Sequence, residues 1–255
     1  MKAQFHIHIK GDPVHDLPYD WEDLVDHAHS LQYKILSVTC HNKLLFNKTA
    51  QKYAEKKDIL LIPGIEIEIG HKHVLIINAH KDAEKIIKIE DLANYRENHP
   101  ESFIVAPHPF FPGKVAMGKK FLTKNLHLFD AIEYSYYVVP LLNFNKKAIR
   151  LAEKHDLPLI ATSDCHVLKY LDQGYTNLKL PRKSKPTTEA VLQALKQKNF
   201  TIKSRPIGYH TAARIILETI FRNLTMVIKK FWYNNSICTH SSKKFVPQLK
   251  KIRKE

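Results

Sequence analysis

The 255-residue chain is poor in cysteine, has few acidic residues where its C-terminal part turns basic, and contains no long uninterrupted apolar run. Cys40, Cys165 and Cys238 are too few and too unevenly spread for a disulfide framework, and an odd count leaves one unpaired. A reducing compartment is expected. No pair of cysteines has zinc-finger spacing, which excludes a thiolate-based structural zinc site. The opening residues, MKAQFHIHIK, hold no apolar signal core, and no run approaches the roughly 18 uncharged residues of a spanning helix. The sequence therefore predicts a cytoplasmic protein with no transmembrane segment. From Arg205 to Glu255 there are only 2 Asp and Glu against 11 Lys and Arg, so this stretch carries +9 of the chain's formal +15.

What is present begins with a balanced composition, 44% hydrophobic and 25% charged, which fits a soluble globular protein with a sizeable core. Apolar runs bounded by turn signals alternate with helical patterns. Strands are expected at Gln4 to Ile9, Ile35 to Cys40, Ile59 to Ile69 with a break at Pro63-Gly64, His73 to Ala79, Phe103 to His108, Ala131 to Tyr136 and Leu157 to Asp164. Helices are expected at Asp20 to Leu31, Leu44 to Lys56, Ile89 to Asn98, Asn143 to His155 and Thr187 to Gln197. Such βα repetition suits an α/β barrel or a doubly wound sheet. Arg205-Pro206-Ile207-Gly208 reads as the end of the repeat, giving a domain over 1–206 and a basic extension over 207–255. Within the extension, Ala212 to Trp232 has the apolar spacing of an amphipathic helix interrupted by charge. It suits packing on the barrel, with nucleic-acid contact or peripheral contact with an anionic membrane as the other readings of the basic tail.

Histidine is abundant, with 16 residues, and it recurs where strands end. In Phe5-His6-Ile7-His8-Ile9, His6 and His8 share one strand face, and Phe5, Ile7 and Ile9 are expected to pack outward against helices. His41 follows Ser37-Val38-Thr39-Cys40, Glu66 and Glu68 lie in PGIEIE, His73 opens HVLI, His108 sits in APHP, and Asp164 and His166 close ATSDCH. Taken singly, each has an ordinary structural role. Jointly they put several ionisable groups at one end of buried strands, where they need a counter-charge. A cluster of divalent cations supplies it, and nitrogen and oxygen donors suit zinc, manganese or iron. Cys40 and Cys165 are expected to pack behind the site.

The blocks FHIHIKGDP, TCHN, PGIEIE, HVLI, APHPFF, AIEYS and TSDCH resemble, in order, the motifs of the polymerase-and-histidinol-phosphatase (PHP) superfamily, and especially its stand-alone metal-dependent phosphoesterases. The resemblance spans roughly residues 1 to 206 and implies a distorted seven-stranded (β/α) barrel. It implies that His6, His8, Glu66 and Asp164 hold one ion, that Asp12, His41 and His166 hold a second, with His15 in reserve for Asp12, and that a bridging Glu66 with His73 and His108 completes a third. Catalysis would rest on Glu66, Asp164 and His166. Two or three divalent ions would activate water and neutralise the charge of an in-line displacement at phosphorus. The implied activity is hydrolysis of a small phosphomonoester or a nucleotide. A non-catalytic metal-stabilised module binding nucleic acid or protein, and an amidohydrolase-type enzyme, are the alternatives.

Overall fold

A computed structural model describes residues 1–139, 142–181 and 185–209, together with 212, 213 and 217. The chain divides into two units, Met1–Ile207 and Gly208–Glu255. The amphipathic helix expected over Ala212 to Trp232 and the basic tail beyond it lie almost wholly outside the described residues.

The first unit runs β1 (Lys2–Gln4), α1 (Trp21–Ser30), β2 (Tyr33–Val38), α2 (Lys48–Lys56), β3 (Leu60–Ile69), β4 (Lys72–Ile77), α3 (Ile89–Asn98), β5 (Phe103–Ala106), α4 (Gly118–Lys124), β6 (Ala131–Ser135), β7 (Val138–Val139), β8 (Leu142–Asn143), α5 (Lys146–Lys154), β9 (Leu159–Thr162), β10 (Gly174–Leu178), α6 (Thr188–Lys196) and β11 (Phe200–Ser204). Nine strands form one sheet in the order β11-β10-β1-β2-β3-β4-β5-β6-β9. Strands at all seven expected places lie in it consecutively, although the first, expected over Gln4 to Ile9, is β1 at Lys2–Gln4 and ends before His6. An antiparallel β10–β11 pair, joined through α6, is added at the β1 edge. The sheet curls almost closed. Cys165 N–H donates to His6 O (3.1 Å) and His8 N–H to Cys165 O (3.0 Å), while the Thr176 hydroxyl donates to Ala161 O (2.9 Å). The fold is thus the distorted α/β barrel that the motifs implied, rather than an open doubly wound sheet.

Helix starts follow local chemistry. Asp20 caps α1 through a reciprocal pair with Asp23, and Asn47 Oδ1 accepts Ala50 N–H, so α2 begins at Lys48 rather than at Leu44. Leu24, Val25 and Ala28 of α1 then pack on Ile7, Ile9, Leu36 and Val38. Phe5 departs from the expected outward alternation. It joins Ile35, Leu75, Phe103 and Ile160, together with Leu192 and Leu195 of α6.

Two further features differ from the parallel pattern. β4 runs antiparallel to both β3 and β5. A two-residue turn with positive φ at Gly70 (53°) and His71 (65°) folds it back on β3, a geometry matched to strand twist. β3 is also continuous through Pro63-Gly64, because that is where it changes partner: Leu60–Pro63 pair with β2, and Gly64–Ile69 pair with β4. Among the described residues no helix is long and apolar enough to cross a membrane.

Candidate metal centre

The nine residues picked out by sequence come together at the end of the barrel where β1, β2, β6 and β9 finish. Glu66 is at the middle and is 1% exposed. Its Oε2 faces Nε2 of His6 (3.4 Å), His8 (3.4 Å) and His41 (3.1 Å). Its Oε1 faces Nδ1 of His73 (2.8 Å) and Nε2 of His108 (3.3 Å). Asp164 Oδ1 lies 3.3 Å from His6 Nε2, 3.2 Å from His8 Nε2 and 3.4 Å from His166 Nδ1. The backbone is strained at two of these points: His108 has φ 27° and Asp164 φ 42°, in the left-handed region that non-glycine residues avoid.

Four of the rings are aimed from behind. Ionised carboxylates only accept, so a histidine Nδ1 facing one donates and leaves Nε2 as the lone pair. His6 Nδ1 donates to Glu133 Oε1 (2.8 Å), and His8 and His41 Nδ1 donate to Asp12 Oδ2 (2.9 and 3.0 Å). His166 Nδ1 donates to the Asp164 carbonyl (3.0 Å). The Nε2 atoms of His6, His8 and His166 are buried and have no hydrogen-bond partner among the described residues. Lone pairs of this kind are costly to bury unless a cation takes them up. Several three-residue groups, including His6/His8/Glu66, His41/Glu66/His73 and His8/Asp164/His166, have the spacing to hold one. The donor set fits a cluster of divalent ions.

Asp12, expected as a ligand, sits among the rings of His8 and His41. Both oxygens are taken: Oδ2 by the two rings and by His41 N–H (3.0 Å), Oδ1 by the N–H groups of Val14 (2.8 Å) and His15 (3.1 Å). That turn sets the His15 ring edge-on to His166 (4.5 Å) and His41 (5.0 Å). Burial alone would raise Asp12, but the bonds from His41 and His8 hold it well below the usual carboxylate range.

The same contest recurs across the cluster. Burial opposes ionisation of Glu66 and Asp164, yet the surrounding imidazoles, His73 and His6 foremost, hold both well below ordinary carboxyl values. Burial likewise disfavours the His8 cation, yet its bond to Asp12 and the nearby Asp164 carboxylate push it up to about 9. His166 is driven well below the ordinary imidazole value by burial and by His8. Burial pushes the Cys40 and Cys165 thiols up to about 12. Both pack behind the histidines as expected.

Two residues of the site were not assigned by sequence. Glu133, fully buried on β6, takes His6 Nδ1, the His108 N–H and the Thr162 hydroxyl. A carboxylate inside the buried strand AIEYS is its only sequence signal. Gln4 accepts Ser163 N–H (3.1 Å) and donates to the carbonyls of Leu171 (3.1 Å) and Gly174 (2.7 Å), tying the first strand to the last. Glu68, also in PGIEIE, turns away to pair with His71 (3.0 Å).

A family model described as PHP-associated matches residues 143–200, the segment that contains Asp164 and His166. No curated protein matches the chain. Among solved structures, the chain is similar to a two-domain protein from Bacteroides vulgatus containing a predicted PHP-like metal-dependent phosphoesterase, with a TM-score of 0.64 and 19% identity, covering 80% of this chain and 64% of that one. It is similar to PsfC from Pseudomonas syringae, with a TM-score of 0.61 and 17% identity over 88% of this chain and 98% of that one. It also resembles the lesion-specific endonuclease PfuEndoQ from Pyrococcus furiosus, with a TM-score of 0.58 and 16% identity over 79% and 57%. The chain spans less than two thirds of the Bacteroides and Pyrococcus proteins. The PHP-associated segment lies within a barrel whose fold the chain shares with these solved structures.

Proposed function

We propose that the protein is a metal-dependent phosphoesterase whose His6, His8, His41, Glu66, His73, His108, Asp164 and His166 hold two or three divalent ions. The observation that carries this reading is the convergence of buried, unbonded imidazole Nε2 atoms on the two carboxylates Glu66 and Asp164. Such ions would supply Lewis-acid activation of water and of phosphoryl oxygens. Glu66, whose two oxygens face different histidine sets, would offer one oxygen to each. Asp164, 26% exposed in its side chain, is the more accessible of the two carboxylates. Asp12 and Glu133 position: each fixes the tautomer and direction of a histidine. In this assignment His15, rather than Asp12, joins His41 and His166 at the second ion.

The reading is tested by purifying the protein, quantifying bound metal and assaying phosphomonoester and oligonucleotide hydrolysis beside His6→Ala and Asp164→Asn. Bound divalent metal with activity lost in both variants supports it. A full-length protein that takes up no divalent metal contradicts it.

A further inference from the structure

From residue 102 to residue 152 the chain carries seven cations, Lys114, Lys119, Lys120, Lys124, Lys146, Lys147 and Arg150, and only two carboxylates. Both carboxylates are committed: Asp130 to Arg96 in a two-pronged bond (2.8 and 2.9 Å), and Glu133 to the histidines. The seven cations are exposed and have no carboxylate within the stretch left to pair with. They belong to the segments that follow β5 and β6, the strands leading to His108 and bearing Glu133.

On this flank Phe110, Asn143, Phe144, Lys146, Lys147 and Arg150 line a cavity of about 270 Å³. One wall is aromatic and the rim is cationic. Phe111 braces it, edge-on to Phe144 (5.9 Å) and Tyr137 (5.0 Å). The cavity is tied to the metal centre: Phe110 lies two residues past His108, at most about 7 Å of chain. Asn143 Nδ2 donates to the Tyr134 hydroxyl (3.3 Å), and Asn145 exchanges two 2.9 Å bonds with the Ser135 backbone at the end of β6. Lys146 and Lys147 also open α5, whose first turn has no acidic residue and no side-chain cap. Cations at the positive end of a helix are electrostatically unfavourable until an anion joins them.

We infer that this cavity is a nucleotide subsite, seating one base of a single-stranded nucleic acid against Phe110 and Phe144 while Lys146, Lys147 and Arg150 hold its backbone phosphates beside the metal centre. The inference rests on the phosphoesterase reading and narrows its substrate class to nucleic-acid strands. Stacking on an aromatic face combined with a cationic track is the general means of holding single strands without sequence preference.

The test is fluorescence anisotropy of a labelled 12-nucleotide single-stranded DNA with the full chain across a salt series. The variants are Lys146→Glu/Lys147→Glu/Arg150→Glu and Phe144→Leu, with p-nitrophenyl phosphate hydrolysis as the measure of an intact metal centre. The triple variant is expected to lose affinity about tenfold or more, and its log K against log salt slope should become shallower by about 2, at about 0.7 for each phosphate that is no longer neutralised. Phe144→Leu is expected to weaken binding without changing the slope. Both should hydrolyse p-nitrophenyl phosphate as wild type does. Unchanged binding in the triple variant overturns the inference. So does an unaltered Phe144→Leu, which would reduce the face to a charge patch, and so does binding to phosphatidylserine vesicles in place of the oligonucleotide. A protein that binds the strand but hydrolyses neither substrate refutes the phosphoesterase reading and leaves the subsite standing.

Discussion

At the scale of single residues, His6, His8, His41 and His166 are each paired with an acceptor that turns the ring. Glu133→Gln keeps the shape but weakens the acceptor behind His6, and it should lower metal affinity by about 10–100-fold with the fold intact, as read by calorimetric titration. The protonation of His8 gives two effects of opposite sign. Its folded value is raised to about 9, so in chelator-treated protein its bond to Asp12 contributes stability that is complete below about 6.5 and is lost as pH rises through about 9. A cation must displace that proton, so metal affinity should climb from pH 6 to pH 9, with proton release seen in buffers of differing ionisation enthalpy. Affinity that is flat over this range contradicts the assignment of His8. The thiols behind the rings make a third case. With Cys40 and Cys165 pushed up to about 12 and buried, a folded Cys238→Ser variant should resist alkylation at pH 7.5, whereas the denatured chain should take up two equivalents of reagent.

At the scale of elements, β3 is the hinge of the architecture. Gly64 sits where the strand exchanges β2 for β4, and a Cβ there would meet Ser37 Oγ, Thr39 Cγ2 (2.7 Å) and Val38 O (3.0 Å). Gly64→Ala should cost about 1–3 kcal/mol by overpacking and lower Tm by several degrees. Because Glu66 is two residues away, the same change should also loosen metal binding. Pro63-Gly64 shows how local turn chemistry misleads: the pair reads as a break, yet only tertiary partners reveal a continuous strand with two neighbours. The seven principal strands and five helices were legible, because buried β-branched runs and capped amphipathic stretches declare themselves locally. β10 and β11 were not. Their sequences, GYTNL and FTIKS, are short and half polar, and they form a sheet only by pairing with each other and with β1. The residues that cluster around Glu66 were readable from His-x-His and Asp-x-His at strand ends. Glu133 and Gln4 were not, since a buried carboxylate or amide is indistinguishable in sequence from an exposed one until its partners are placed.

At the scale of the molecule, the candidate metal centre brings together distant parts of the first unit. His6 and His8 come from its beginning and Asp164 and His166 from near its end, and the barrel must close before these four can meet. All the site residues lie within Met1–Ile207, and Ile207 N–H donates to Val138 O (2.8 Å) as an anchor. A chain ending at Ile207 should therefore bind metal as the full chain does, and a loss of bound metal on truncation would count against this division of labour. The central claim is that buried histidines and the carboxylates Glu66 and Asp164 together hold catalytic divalent ions. It is tested most directly by measuring metal content and phosphoester hydrolysis on the same preparations of wild type, Glu66→Gln and Asp164→Asn. The account predicts two or three divalent ions per wild-type chain, with at least one ion lost from each variant and hydrolysis reduced by at least about a hundredfold. A wild type without metal, or variants that retain full activity, would contradict it.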